Sequence, residues 1–232
     1  MSDSDATPDT PPPGELELEP VWSSLTTEPG TGVCLLDLAG RVLYLNERCA
    51  EIYFGRGVEP AQVLGKTLDE LYPEPFVAER TALLRKVEAE GKPILFRTFW
   101  RGRQHVSYIY PVRPGESHAG PVTRVLVITR WVGGDAGEDP VPEGVERLES
   151  EVIDLGALGV LSPRELVVLA LLGQGMTAKE AAAHVHRSEK TIQTQRDSIS
   201  RKLHLKNRGE LVKLVQHVGL SVADAERRDV SP

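Results

Sequence analysis

Three helix-start signals stand close together within residues 162–188, and they constrain the fold more than any other feature of the chain. Ser162-Pro163-Arg164-Glu165 is a capping box with proline at the first helical position. Thr177-Ala178-Lys179-Glu180 is a second box, and Ser188 caps a third helix with its small hydroxyl. Gly173 and Gly175 can end the first helix in a left-handed turn. The second helix then has room for about two turns, Ala178–His184, with Ala181, Ala182 and Ala183 as its close-packing face. Val185-His186-Arg187 leads into the third. Two helices joined by so short a turn, the first rich in alanine so that the second crosses closely, predict a helix-turn-helix. A fourth helix is expected over Gly209–Val218, carrying Leu211, Leu214, Val215 and Val218.

The third helix, SEKTIQTQRDSISRKL at 188–203, has two unlike faces. Ile192, Ile199 and Leu203 point inward, joined by part of Thr191 or Gln195. Gln193, Thr194, Arg196, Asp197, Ser200 and Arg201 lie outward or on the flanks. A merely solvated face usually mixes Glu with Lys at i,i+4 spacing. Amide, hydroxyl and guanidinium groups instead can hydrogen-bond base edges and phosphates. A helix fits the major groove with its N-terminal half toward the bases. Gln193, Thr194 and Asp197 are therefore predicted to face bases. Lys179, Ser188, Lys190, Thr191, Arg196, Arg201, Lys202 and Lys206 are predicted phosphate contacts. Asp197 would accept from a cytosine amino group or orient a neighbouring arginine.

Charge agrees with this division. Residues 161–220 hold 10 lysines and arginines against 5 acidic residues, whereas residues 1–160 hold 15 against 26. A basic module on an acidic chain suits a polyanionic partner. No run approaches the ~20 apolar residues of a membrane span. The acidic, Pro-rich start lacks the basic and apolar parts of a signal peptide, so a cytoplasmic location is expected. Cys34 and Cys49 are the only cysteines, which leaves no disulfide framework and no zinc spacing. No phosphate loop, metal spacing or ordered triad marks an enzyme.

Upstream, the periodicity is mixed. Val33–Asp37 and Val42–Leu45 flank Leu38-Ala39-Gly40-Arg41 as a hairpin. A short helix is expected at Glu47–Phe54. Val77, Leu83, Leu84 and Val87 mark a helix over 75–90, stopped by Gly91 and Pro93. Ile94–Trp100, His105–Val112 and Thr123–Trp131 read as strands. This order predicts an α+β domain with an antiparallel five-stranded sheet and helices on one side, followed by an all-α four-helix module. The expected divisions are a disordered tail (1–20), the α+β domain (21–132), a linker (133–158), the helical module (159–220) and a flexible tail (221–232). Within the linker, Val145, Leu148, Val152 and Leu155 recur at 3, 4, 3 spacing and predict a short amphipathic helix, either a dimer seam or a helix packed on a domain.

Residues 161–220 resemble the LuxR-type (GerE/FixJ-like) DNA-binding domain without gaps. The matching pieces are Leu161-Ser162-Pro163-Arg164-Glu165, Leu169 to Gly175, Lys179-Glu180, Ser188 to Ile192, Lys202-Leu203 and Asn207-Arg208. The resemblance implies that the third helix is the recognition helix, with Gln193, Thr194 and Asp197 where the family reads bases. It also implies that the fourth helix, through Leu211, Leu214, Val215 and Val218, pairs in a dimer on a two-fold-related site. Ala181 and Gln195 stand where the family usually has an aliphatic residue and a histidine, and Arg187 replaces an apolar one.

Residues 32–132 resemble a PAS domain, through Tyr44-Leu45-Asn46, the helix Glu47–Phe54, Leu64-Gly65-Lys66 with Leu68 and Leu71, and the closing strands. Flavin-binding relatives need an Asn-Cys-Arg-Phe-like run in the mid-domain helices. Here Cys49 lies in Asn46-Glu47-Arg48-Cys49, in another element, and reads as a small buried thiol. Haem-binding relatives use a histidine on the long helix, and residues 75–92 have none. His105 and His118 are expected at the surface, and Tyr108, Tyr110, Phe99 and Trp100 in sheet and core. The cofactor is thus unknown, with no haem or flavin signature. The expected protein is a homodimeric regulator of transcription. Its PAS domain would take a small-molecule ligand or protein partner, or serve only for dimerisation and docking. Its basic module would bind double-stranded DNA; the rival is an acidic protein.

Overall fold

The computed structural model describes residues 18–28, 30–114, 120–133 and 141–230. Most of the acidic start, His118 and the Gly/Asp-rich run 134–140 lie outside them. Helix α1 (Leu18–Thr26) precedes a hairpin of β1 (Thr31–Asp37) and β2 (Val42–Leu45). Three helices follow: α2 (Glu47–Phe54), α3 (Leu68–Leu71) and α4 (Glu74–Glu90). Strands β3 (Ile94–Trp100), β4 (Arg103–Val112) and β5 (Arg124–Trp131) complete the expected set. Gly91 closes α4 at φ 62, a left-handed conformation that glycine adopts without a Cβ clash.

Asn46 shows why the hairpin leads directly into a helix. Its Oδ1 accepts from the Val33 and Cys49 amides at 2.9 Å each. Its Nδ2 donates to the carbonyl oxygens of Thr26 at 2.7 Å and Thr31 at 2.9 Å. One buried amide thus caps α2 and ties it to β1 and the end of α1.

The sheet differs from the expected one. It has six strands in the order β2-β1-β5-β4-β3-β6, and β6 (Glu146–Glu149) runs parallel to β3, so the sheet is mixed rather than antiparallel. The predicted helix over 145–155 does not form. The segment is instead β6, then β7 (Val152–Ile153), which pairs with the C-terminal β8 (Arg228–Asp229). Each of the four apolar residues enters a different core. Val145 packs with Leu95, Val106 and Val132, and Leu148 on the α2–α4 core. Val152 packs with Phe76 and Trp100, and Leu155 in the core of the helical module. A helix would have gathered them on one stripe. The extended form instead covers the edge of β3, whose unpaired backbone groups would otherwise be left open.

The helical module comprises α5 (Pro163–Gly173), α6 (Ala178–His184), α7 (Glu189–Lys202) and α8 (Arg208–Val218), with a one-turn α9 (Val222–Ala225) behind them. Both capping boxes form, and Ser188 accepts from the Thr191 amide. Gly175 takes the left-handed turn at φ 91. Gly173 remains helical and serves close approach: a Cβ there would meet Val215 side-chain atoms at 2.3 Å. Ala181 and Ala182 are buried, whereas Ala183 is exposed. His186, at φ 52, makes the turn into α7.

Every residue of β3 is buried. Ile94 and Phe96 face the α2–α4 core. Phe99, on the opposite face, belongs to the core of the helical module. The two modules meet through this strand. Arg97 donates to both carboxylate oxygens of Asp224 at 2.7 Å, with side chains 8% and 0% exposed. Arg227 also pairs with Asp224, and with Glu149 of β6. With its amide oriented to suit both neighbours, Gln104 donates to the Gly219 carbonyl and accepts from Arg97 Nε, 2.8 Å each.

Candidate nucleic-acid interface and internal cavity

Helix α7 is anchored from below. Glu165, the third residue of α5, accepts from the Ser162 amide at 2.8 Å, closing its capping box. The same carboxylate accepts from Ser198 at 2.8 Å and Lys202 at 2.7 Å on α7. Burial would raise its pKa, but the Lys202 ammonium and these donors pull it down to about 2. The cap of one helix thus sets the position of another. Ile192 and Ile199 are fully buried beneath it.

The opposite face is open. Lys190, Gln193, Thr194, Asp197 and Arg201 are all exposed and share one side of the helix by their spacing. Gln193 donates to Glu189 at 3.1 Å, and the Thr194 hydroxyl to the Lys190 carbonyl at 3.0 Å. Arg196, on the flank, donates to Asp197 at 2.9 Å, in the orienting arrangement considered above. Ser188 and Thr191 share a 2.8 Å hydroxyl contact at the helix start. Lys179 and Lys206 are exposed beyond either end of α7. Lys202 lies apart from this face, on the α5 side with Glu165. Leu211, Val215 and Val218 of α8 are buried in the module's own core, and Leu214 packs against it. The face expected to pair with a second chain is occupied within this one.

A second feature lies inside the α+β domain. The sheet, α2 and α4 border a cavity of about 70 Å³, lined among others by Cys34, Cys49, Tyr53, Arg80, Phe96 and Ser107. That exceeds the room a single water needs several-fold. The Tyr53 hydroxyl lies 3.3 Å from both Ser107 and Thr129, which contact each other at 2.8 Å. Hydrogen bonding with Cys34, together with burial, pushes the Cys49 thiol up, so it stays protonated. Arg80 brings the one cation among the lining residues, with Phe76 and Phe96 rings 4.3 Å from its guanidinium. Arg80 is not among the site residues expected from the sequence. Its signal was there: residue 80 falls between Val77 and Leu84 on the apolar stripe of α4, where a charge needs a reason.

The other candidates lie elsewhere. Tyr108 and Tyr110 stack on each other at 6.1 Å, Phe99 is in the helical core and Trp100 packs on Phe76. His105 is not at the surface: it is 1% exposed, with Nε2 3.0 Å from the Trp100 carbonyl oxygen.

Residues 159–215 match the family model for bacterial regulatory proteins of the luxR family, and residues 30–133 match that for the PAS fold. The chain joins a PAS domain to a LuxR-type helix-turn-helix domain. It is 39% identical over 92 residues to the transcriptional regulatory protein RcsB of Escherichia coli K12, and likewise to that of Salmonella typhimurium LT2. Those 92 residues are 39% of this chain and 42% of each relative, so the chain spans about two-fifths of the curated relatives it matches. Among solved structures, a Vibrio cholerae VqmA–ligand–DNA complex is 19% identical, with a TM-score of 0.48 over 93% of this chain and 94% of that one. A Colwellia psychrerythraea PAS domain is 15% identical, with a TM-score of 0.40 over 50% of this chain and 98% of its own. Among the described residues of the PAS and LuxR-type domains, no helix is long and apolar enough to cross a membrane.

Proposed function

We propose that this protein is a regulator of transcription that binds double-stranded DNA as a homodimer through the LuxR-type domain, under control of a small molecule held in the PAS domain. One observation carries the DNA assignment. The exposed face of α7 presents Lys190, Gln193, Thr194, Asp197 and Arg201, while Glu165 and the buried isoleucines hold that helix rigidly. Gln193, Thr194 and Asp197 read bases; Lys179, Ser188, Lys190, Thr191, Arg196, Arg201 and Lys206 contact phosphates. Lys202 acts mainly by holding α7 to α5. The cavity favours a ligand over a purely docking PAS domain. Residues 21–132 form the sensing unit, 159–220 the reading unit, and 133–158 the connector.

The test is selection of a preferred duplex by the full-length protein, followed by anisotropy titrations over a salt series. Arg201→Ala is expected to weaken binding to all sequences and lower the salt slope by about 1, and Gln193→Ala to relax preference at one base position. Unchanged binding in both variants would sink the assignment of α7. Mass measurement on the bound complex decides the stoichiometry, with two chains per duplex expected.

A further inference from the structure

The cavity holds one unexplained group. Arg80 is a cation set in an otherwise mainly apolar wall. It sits between two phenylalanine rings, and Glu79 is its carboxylate partner. Arg80 Nη1 donates to Glu79 Oε2 at 2.8 Å, and Nη2 donates to the Thr98 hydroxyl at 3.3 Å. The two residues are consecutive on α4, about 100° apart around the helix. Arg80 therefore lines the cavity, while Glu79 faces a groove lined on its other side by the connector.

Glu79 has a second task there. Its Oε2 accepts from the Ser150 hydroxyl at 2.6 Å, and its Oε1 from the Glu151 amide at 2.7 Å. Ser150 is buried, and its amide donates to the Arg97 carbonyl at 2.8 Å. Glu79 thus grips the connector between the strands β6 and β7. Behind that connector stands the helical module. An unbroken path of polar contacts runs from the cavity wall to the joint between the domains.

We propose that the cavity binds a compact, one-ring, mainly apolar molecule bearing a carboxylate, which Arg80 anchors, and that occupancy is relayed by Glu79 through Ser150 and Glu151 to the LuxR-type domain. The proposal rests on the regulatory reading above and names the ligand class and route. The chemistry follows from the site. Aromatic and aliphatic walls favour an apolar ring. A guanidinium pairs planar carboxylates in two-pronged fashion better than any other side chain does. A carboxylate arriving at Arg80 competes with Glu79 for the same donors. The Glu79 carboxylate then loses its compensating charge, and its hold on Ser150 and Glu151 is redistributed. Only a ligand that interacts differently with the two arrangements can shift them, and competition for Arg80 supplies that difference.

The experiment uses the full chain, with benzoate as probe and toluene as its uncharged counterpart of the same ring. Titration calorimetry and thermal shift measure binding; anisotropy on the selected duplex measures DNA affinity. Benzoate is expected to bind at least tenfold more tightly than toluene and to change DNA affinity about fivefold or more. Arg80→Gln should erase the preference for benzoate. Should that variant not fold, the benzoate-to-toluene ratio in the natural protein decides the anchor alone. Glu79→Gln should still bind benzoate but lose the DNA response. Equal binding of the two probes, or none of either, overturns the anchor. A full DNA response in Glu79→Gln, or benzoate binding with no DNA response, overturns the relay. Failure of the natural protein to bind any duplex would strike the regulatory reading and the relay with it, while calorimetry still decides the anchor.

Discussion

His105 makes the stability of the PAS domain depend on pH in a way that can be worked out in advance. The ring lies between Tyr53 and Trp131, each 6.3 Å away by centroids. Nε2 carries the proton donated to the Trp100 carbonyl, and Nδ1 is buried with no hydrogen-bond partner among the described residues. Protonating Nδ1 would bury a cation in an apolar slot near Arg103, Arg48 and Arg80. Burial first, and those cations second, bring its pKa from 6.5 down to about 3. Between those values the unfolded chain binds the extra proton and the folded chain does not. Stability is therefore fully present above pH 6.5 and lost as pH falls toward 3. At pH 4.5 the loss is about 3 kcal/mol, from ~1.4 kcal/mol for each of ~2 pH units. The variant His105→Gln keeps an N–H for the Trp100 carbonyl and cannot titrate. Urea midpoints of both proteins at pH 7.5 and 4.5 give the comparison. The acid-sensitive carboxylates, Glu165 among them, are common to both and cancel. The natural protein should lose about 3 kcal/mol more than the variant over this interval. Equal losses would refute the buried, neutral imidazole.

The joint between the domains can be tested by a double-mutant cycle in chemical denaturation. Asp224→Asn leaves the buried Arg97 with only the longer 3.7 Å contact to Glu149 and should cost ~3 kcal/mol, and the pair Asp224→Asn with Arg97→Gln should cost clearly less than the sum of the singles; additive costs would show the pair to be uncoupled. Gly173→Ala drives a methyl into Val215, and the crossing of α5 on α8 should lose ~1–3 kcal/mol, read as a lowered urea midpoint.

What could be read from the sequence was what depends on near neighbours. Ser162, Thr177 and Ser188 start helices because each bonds to an amide three residues on, and those contacts form wherever the rest of the chain goes. Asn46 was legible as a mark of the hairpin, although its four bonds were not. The connector departs from the expected helix because its apolar spacing fits helix and extended chain equally well, and its partners lie in four separate cores. Cavities have no sequence signature, since Cys34, Arg80 and Ser107 meet only after folding. Arg97 was hidden for a related reason. A charge within ILFRTFW looks like an interruption of a core strand until Asp224, far along the chain in what read as a flexible tail, closes on it. His105 gave no sign either, because strand alternation alone does not say which face of β4 is covered.

The strand β3 explains why two domains in this chain need not behave as independent bodies. Side chains alternate across it, so Phe96 and Thr98 meet the cavity side while Arg97 and Phe99 meet the helical module. No shift of the strand can be confined to one face. Energetics then decide how a signal can pass. A tenfold difference in ligand affinity between two arrangements supplies ~1.4 kcal/mol. Stripping Asp224 from Arg97 would cost ~3 kcal/mol, more than such a ligand provides. The pair must therefore survive the change, with β3, α9 and the paired β7–β8 moving together. The contacts left to yield are Glu79 on Ser150 and Glu151, whose acceptor the ligand competes for, and Arg103 with His217, an exposed contact at 3.2 Å. Glu149, 3.7 Å from Arg97 and already paired with Arg227, offers the same strand a second carboxylate during such a movement. A ligand that acts through this chain thus acts on the connector first, and α7 follows because Glu165 holds it to the same module.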